Sequence, residues 1–226
     1  MIVHVTTHDL HAPDAVRRTQ LAVATWSDAY SGDAINPCWC IPSMFLARNS
    51  EIIDDKRRLP FLRDMVQLAL LASKSGDDII FITNGDVCFA PGIPQMILDS
   101  PKPFYCHRRD FYHKLDKPLT TAEIQIGHEY PGNDAFGFTP AWWAKHGGKF
   151  PDMLIGATGW DWVMRVLMQE TGGVSLPNAI YHEHHKSLWH NRVFRRTNKA
   201  QRWNQKLAAE FLTKRGVSGA EIRKYT

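Results

Sequence analysis

Four stretches of this chain carry residues whose types and spacing suit chemistry. The first is Thr83-Asn84-Gly85-Asp86. Asn84 and Asp86 put two oxygen-bearing side chains on one side of an extended segment, and Gly85 between them lets a ligand approach the backbone. That pair suits a hard divalent cation and the phosphates it carries. The second is Pro131-Gly132-Asn133-Asp134, where a glycine-flanked aspartate is also a common turn cap. In the third, Gly156-Ala157-Thr158-Gly159-Trp160-Asp161-Trp162, a glycine-rich loop meets a helix and leaves Asp161 in the first turn. A helix N-terminus favours a carboxylate, and the flanking Trp160 and Trp162 can exclude water or stack on a sugar face; simple capping is the plainer role for such an Asp. The fourth is Tyr181-His182-Glu183-His184-His185 with His190, four histidines within nine residues. In extended chain His182 and His184 face one side, Glu183 and His185 the other. A His-x-Glu pair would suit a zinc deaminase, but no Pro-Cys-x-x-Cys follows it.

The surrounding elements must deliver these residues. Ile79 to Ile82 is a short unbroken apolar run, read as a strand buried on both faces of a sheet whose carboxyl edge binds ligands. A helix from Pro60 to Ala72, closed by Gly76, feeds it. Upstream, Ile2 to Thr6 alternates as a first strand, so that Thr6, Thr7 and His8 lie at the binding edge, as nucleotide contacts or as turn residues. A helix follows over Arg17 to Trp26, then a loop over 31–42 enclosing a short strand near Cys38 to Ile41. Downstream come a short helix to Leu98 and a strand over Phe104 to Cys106 that ends in His107-Arg108-Arg109-Asp110. The two arginines offer charge-assisted bonds to anionic oxygens, or at least one faces solvent. Phe111 to Tyr130 reads as a mobile loop, Pro131 to Thr139 as a turn and strand, and Pro140 as the start of a helix. From Asn191 to Arg215 a basic helix packs Trp203, Leu207, Phe211 and Leu212 inward, and Gly216 ends it.

With 226 residues, 44% of them hydrophobic, the chain can bury one full core. The expected organisation is a single α/β domain over 1–190 with a basic helical segment, 191–226, packed on it. No apolar run near 18 residues and no signal-peptide pattern is present, so the expected location is the cytoplasm. Cys38, Cys40, Cys88 and Cys106 lack C-x-x-C spacing, which argues against structural zinc. From Tyr181 onward eleven Lys and Arg face three Glu, a local +8, whereas the first 180 residues carry 16 basic and 20 acidic side chains, or −4. This asymmetry points to a polyanionic partner, nucleic acid first, or to a solvated helix face.

The run Arg57-Arg58-Leu59-Pro60-Phe61-Leu62, followed by helix, apolar strand and Thr83-Asn84-Gly85-Asp86-Val87, resembles the nucleotide-sugar core of GT-A-fold glycosyltransferases. The resemblance implies a Rossmann-like, mostly parallel mixed sheet and an Asp-x-Asp motif binding Mn²⁺ or Mg²⁺ on the donor diphosphate. Asn84 would stand for the first Asp, Asp86 would be the firmer ligand, and His182 or His184 would complete the metal site. It further implies donor contacts from Thr6, Thr7, His8, Arg58, Gly85 and Trp160, sugar contact from Asp134, and a catalytic base at Asp161, with Asp134 as the alternative. Lys186 or Arg192 would neutralise the leaving diphosphate. The donor would be a uridine-diphosphate sugar, glucose first. Size and basic tail look like the phage DNA glucosyltransferases associated with base J or with ten-eleven-translocation dioxygenases. That likeness implies 5-hydroxymethylcytosine or 5-hydroxymethyluracil in DNA as acceptor, a bacterial or phage-infected cytoplasm, and DNA contacts from Arg192, Arg195, Arg196, Lys199 and Arg202. The alternatives are a glycan or lipid acceptor, and a non-catalytic nucleotide- or nucleic-acid-binding module.

Overall fold

The computed structural model describes residues 1–6, 13–30, 35–39, 59–185 and 198–225. Its strands are β1 (Ile2–Thr6), β2 (Ile35–Trp39), β3 (Ile79–Thr83), β4 (Cys88–Phe89), β5 (Phe104–Phe111), β6 (His128–Phe138) and β7 (Val174–Glu183). They form one sheet in the order β2-β1-β3-β6-β5-β7-β4. The helices are α1 (Pro13–Tyr30), α2 (Leu62–Ala72), α3 (Ile93–Asp99), α4 (Thr121–Gln125), α5 (Pro140–His146), α6 (Trp160–Glu170), α7 (Lys199–Thr213) and α8 (Gly219–Tyr225). No helix among the described residues is long and apolar enough to cross a membrane.

All five residues of β3 are buried. Side chains alternate across a strand, so Ile80 and Ile82 enter one core while Ile79 and Phe81 enter the other. The first core is closed by Leu62, Met65 and Val66 of α2, Val163 and Leu167 of α6, and Ala208, Phe211 and Leu212 of α7. Ala22 and Trp26 of α1 and Ile93 and Ile97 of α3 close the second. The result is a three-layer mixed α/β domain.

The sheet is evenly mixed rather than mostly parallel. β1 pairs in parallel with β2 and β3, and β5 with β7, but β6 runs antiparallel to both β3 and β5, and β4 to β7. Because β6 reverses between them, β3, β5 and β7 run in one direction and their carboxyl ends share one edge. The segment 107–110, expected at the end of a strand, lies inside β5. Pairing with β6 on one side and β7 on the other overrides its polar local sequence. The expected loop over 111–130 contains α4, which carries a capping box between Thr120 and Glu123, and then the start of β6. Asp134 accordingly sits in a strand rather than a turn. The short strand expected near 38–41 falls at Ile35–Trp39.

Two sets of contacts hold the site's loops. Trp26 Nε1 donates to the Val87 carbonyl at 2.9 Å, and Thr25 Oγ1 accepts from the Phe89 amide at 2.9 Å, pinning the turn after β3 to α1. On the other face the fully buried Asn204 of α7 accepts from the Leu154 amide at 2.9 Å and donates to the carbonyls of Leu154 and Ala157 at 2.7 and 3.2 Å. Gln201, also fully buried, accepts from the Thr158 amide at 3.0 Å. The basic C-terminal helix therefore fixes the loop that leads into α6. That loop ends at Gly159, whose φ of 95° lies in the left-handed region that favours glycine.

Gly137, in the centre of β6, is required for packing. A Cβ there would meet Phe104 Cζ at 2.0 Å, and Phe104 is fully buried, so neither can yield cheaply. Gly137→Ala is expected to cost about 2 kcal/mol or more in a urea melt, near the upper end of overpacking penalties. An unchanged midpoint would mean that the Phe104 ring has room to move.

Candidate metal and catalytic site

The turn after β3 places Asn84 and Asp86 at the shared carboxyl edge. Asp86 is half-buried, and its Oδ2 lies 3.3 Å from His182 Nε2 and 3.0 Å from His185 Nε2. One ligand atom from each of the three residues lies within 4.8 Å of the others, so a single ion can be reached by all three. Burial by itself would raise the Asp86 carboxyl, but His182 and His185 outweigh it and hold the group well below the usual carboxylate range. For His182, which is 3% exposed, burial and the Arg108 charge work against the charged form, and Asp86 and Asp110 together outweigh them, leaving its pKa above the ordinary histidine value.

A second set of groups joins this cluster from behind. His182 Nδ1 faces Asp110 Oδ1 at 3.3 Å, and that oxygen is 2.8 Å from Arg108 Nε. Arg108 also pairs with Asp134, to which Asn84 Nδ2 donates at 2.6 Å. The guanidinium stacks on the Tyr130 ring, 3.8 Å from its centroid. Asn84, Asp134, Arg108, Asp110, His182 and Asp86 thus form one polar chain across β6, β5 and β7. Its middle is well buried: Asp110 is 1% and Asp134 6% exposed. Burial of that depth needs the pairing found here.

Asp161 lies in the first turn of α6, as its sequence position predicts. Burial pushes its carboxyl up and the Asp134 carboxylate adds to this, against the backbone amides of Asp161 and Trp162 and the Arg108 charge; the balance stands at about 6. A carboxyl so poised at a helix start can exchange a proton near neutrality.

Several anticipated residues are brought together and others are not. Asn84, Gly85, Asp86, Asp134 and His182 lie in or beside the polar chain. His184 does not join the cluster: its Nδ1 is 3.4 Å from Asp110 and its ring packs 4.5 Å from that of Tyr112, while His185 takes the place beside Asp86. The reason is that β7 ends at Glu183, so strict alternation no longer governs 184 and 185. Trp160 is 3% exposed and meets Phe136 edge-on, so it lines the core instead of offering a face to a sugar. Thr6 is buried, its hydroxyl donating to the Thr83 carbonyl at 3.0 Å. Of the arginine pair, Arg108 turns into the site, and Arg109 donates to Asn178 at 2.9 Å. Lys199 and Arg202 are exposed on α7. Thr7, His8, Arg58, Lys186, Arg192, Arg195 and Arg196 lie outside the described residues.

Three contributors escaped the sequence reading. His185 was visible within the histidine run, and Asp110 followed two arginines, but neither spacing announced its partner. Arg18 carried no signal: it projects from α1 with its side chain 11% exposed and its Nε 3.8 Å from Asp86, a cation already beside the cluster.

Matched against protein-family models and against curated proteins, the chain finds no counterpart in either. Fold and site together define a class: a three-layer mixed α/β protein with a carboxylate and two histidines gathered where β3, β5 and β7 end.

Proposed function

We propose that the protein is a metal-dependent glycosyltransferase that moves a sugar from a nucleotide diphosphate to a hydroxyl acceptor. The observation that carries this reading is the Asp86, His182 and His185 cluster at the carboxyl edge of the sheet; Asp161, with its raised carboxyl, feels the charges of Asp134 and Arg108 in the polar chain behind it. One carboxylate with two imidazoles fits Mn²⁺ better than Mg²⁺, which prefers an all-oxygen shell with several waters. Such an ion, when bound, neutralises charge developing on a departing diphosphate. Arg18, 3.8 Å from Asp86, would meet the same anion. Asp161 accepts the proton of the acceptor hydroxyl as that oxygen attacks the anomeric carbon, and the electron pair of the breaking C–O bond leaves with the diphosphate. Asp134 is committed to Arg108 through one oxygen and to Asn84 through the other, which favours Asp161 over it as the base.

The donor we propose is uridine-diphosphate glucose, and the acceptor a 5-hydroxymethylpyrimidine in DNA. Support for the acceptor is the local charge of +8 after residue 180, with Lys199 and Arg202 exposed on α7. The test is mass spectrometry of nucleosides after incubating the protein with Mn²⁺, a panel of nucleotide sugars and duplex DNA containing 5-hydroxymethylcytosine or ordinary cytosine. A hexose adduct confined to the modified DNA and lost on chelation is the expected result. Metal-dependent hydrolysis of the donor without an adduct would overturn the DNA acceptor and favour a glycan or lipid, and the absence of both adduct and hydrolysis would overturn the transferase itself.

A further inference from the structure

We infer that Asp110 is a positioning residue for the metal site: it holds His182 with Nδ1 turned inward, so that Nε2 is the nitrogen presented beside Asp86. The inference rests on reading Asp86, His182 and His185 as cation ligands, and goes beyond it to a residue that touches no ion.

Three observations carry it. His182 and Asp110 are directly paired across β7 and β5, so their side chains leave the sheet on the same face. Nδ1 of His182 is fully buried, and the oxygen it faces, 3.3 Å away, is Asp110 Oδ1, equally buried. Asp110 is itself 1% exposed and is held by Arg108 through Nε at 2.8 Å and through Nη2 to its other oxygen at 3.4 Å, so the carboxylate cannot swing away to water. An imidazole has two nitrogens with opposite tasks at a metal, and the group facing the distal one decides which is offered. In this site Asp110 faces the distal nitrogen, and Arg108 fixes Asp110. The same arginine holds Asp134, so the cluster beside Asp86 and the carboxylate bonded to Asn84 share one anchor.

Residues of this kind change metal affinity by about 10- to 100-fold. The experiment is Mn²⁺ binding, read from the loss of the free-ion electron paramagnetic resonance signal, for wild type, Asp110→Asn, His182→Ala and the double variant. Asp110→Asn is expected to weaken binding by about 10- to 100-fold while the metal-free protein melts as a folded domain. Because the effect runs through His182, adding Asp110→Asn to His182→Ala should change affinity no further. Equal affinity in wild type and Asp110→Asn would overturn the inference, and so would a full Asp110→Asn effect in the His182→Ala background, which would make Asp110 a long-range charge only. If Asp110→Asn does not fold, Asp110→Glu keeps the charge but moves the carboxylate, and undiminished affinity there would overturn the positioning role equally. A wild-type protein that binds no Mn²⁺ would instead overturn the metal reading on which this stands, a result distinguishable at once from the others.

Discussion

Asp86→Ala abolishes detectable Mn²⁺ binding and lowers sugar transfer by about a thousandfold or more, which is the expected loss when a Lewis acid worth about 4 kcal/mol of transition-state stabilisation is removed. Asp86 is the one carboxylate in the cluster; His182 and His185 bind a metal only as neutral imidazoles. Two imidazoles without a counter-charge hold a hard dication poorly, so the loss exceeds that of either histidine alone. The isosteric Asp86→Asn separates charge from shape. It keeps one carbonyl oxygen toward His182 and His185, and should bind the ion weakly instead of not at all. Paired measurements of Mn²⁺ binding and of adduct mass decide the matter. If Asp86→Ala binds the ion as wild type does, these three residues are not the metal site; if binding falls while transfer continues, the reaction does not depend on the ion.

How much of this could be read from the chain alone depends on how local each constraint is. Ile79 to Ile82 fixed β3 because an apolar run bounded by Asp78 and Thr83 has few other uses, and its alternation into two cores followed. Asp161 was placed in a first helical turn because Gly159 and the apolar spacing after it are local signals. The direction of β6 was not local: nothing in residues 128–138 says that its neighbours are β3 and β5, and the sheet was expected to be more parallel than it is. Long-range pairing also drew the polar 107–110 stretch into a strand, since Arg108 finds both its carboxylates only after folding, on β5 and β6. The capping box at Thr120 and Glu123 is the opposite case, a local signal that the sequence itself carries inside an otherwise polar stretch. The exchange of His185 for His184 turned on where β7 stops, and strand ends are the least determined feature of a sequence. Gln201 and Asn204 show the same limit: a basic helix that looked like a surface appendage buries two amides which hold the loop before Asp161.

For Asp161 the expected outcome is a variant that is slower and more stable. If it is the base, Asp161→Asn lowers kcat by about 100- to 10,000-fold with little change in KM, since the proton is taken only as the bond forms. In wild type the rate should rise with pH to a plateau above about 6, where the carboxyl is ionised, and the variant should lose that limb. The effect on stability has the opposite direction. The folded protein holds the proton more tightly than the unfolded chain, whose carboxyl titrates near 3.8. Between about 4 and 6 the native state therefore binds more protons, and stability falls as pH rises through that window. The penalty is absent below it and complete above it, at most about 3 kcal/mol for a half-buried group. Asn carries no charge and can still accept from the amides at the start of α6. It should therefore melt higher than wild type at pH 7.5 and coincide with it below pH 4. Thermal melts at both pH values, beside the pH profile of kcat, separate the two roles open to this residue. A residue that only accepts from those amides would keep its stability at both pH values, because Asn serves there as well as Asp, and would leave the profile untouched. A base held against its own solvation gains stability as it loses rate, because the burial that makes a carboxylate willing to take a proton near pH 6 is the same burial that strains the fold above it.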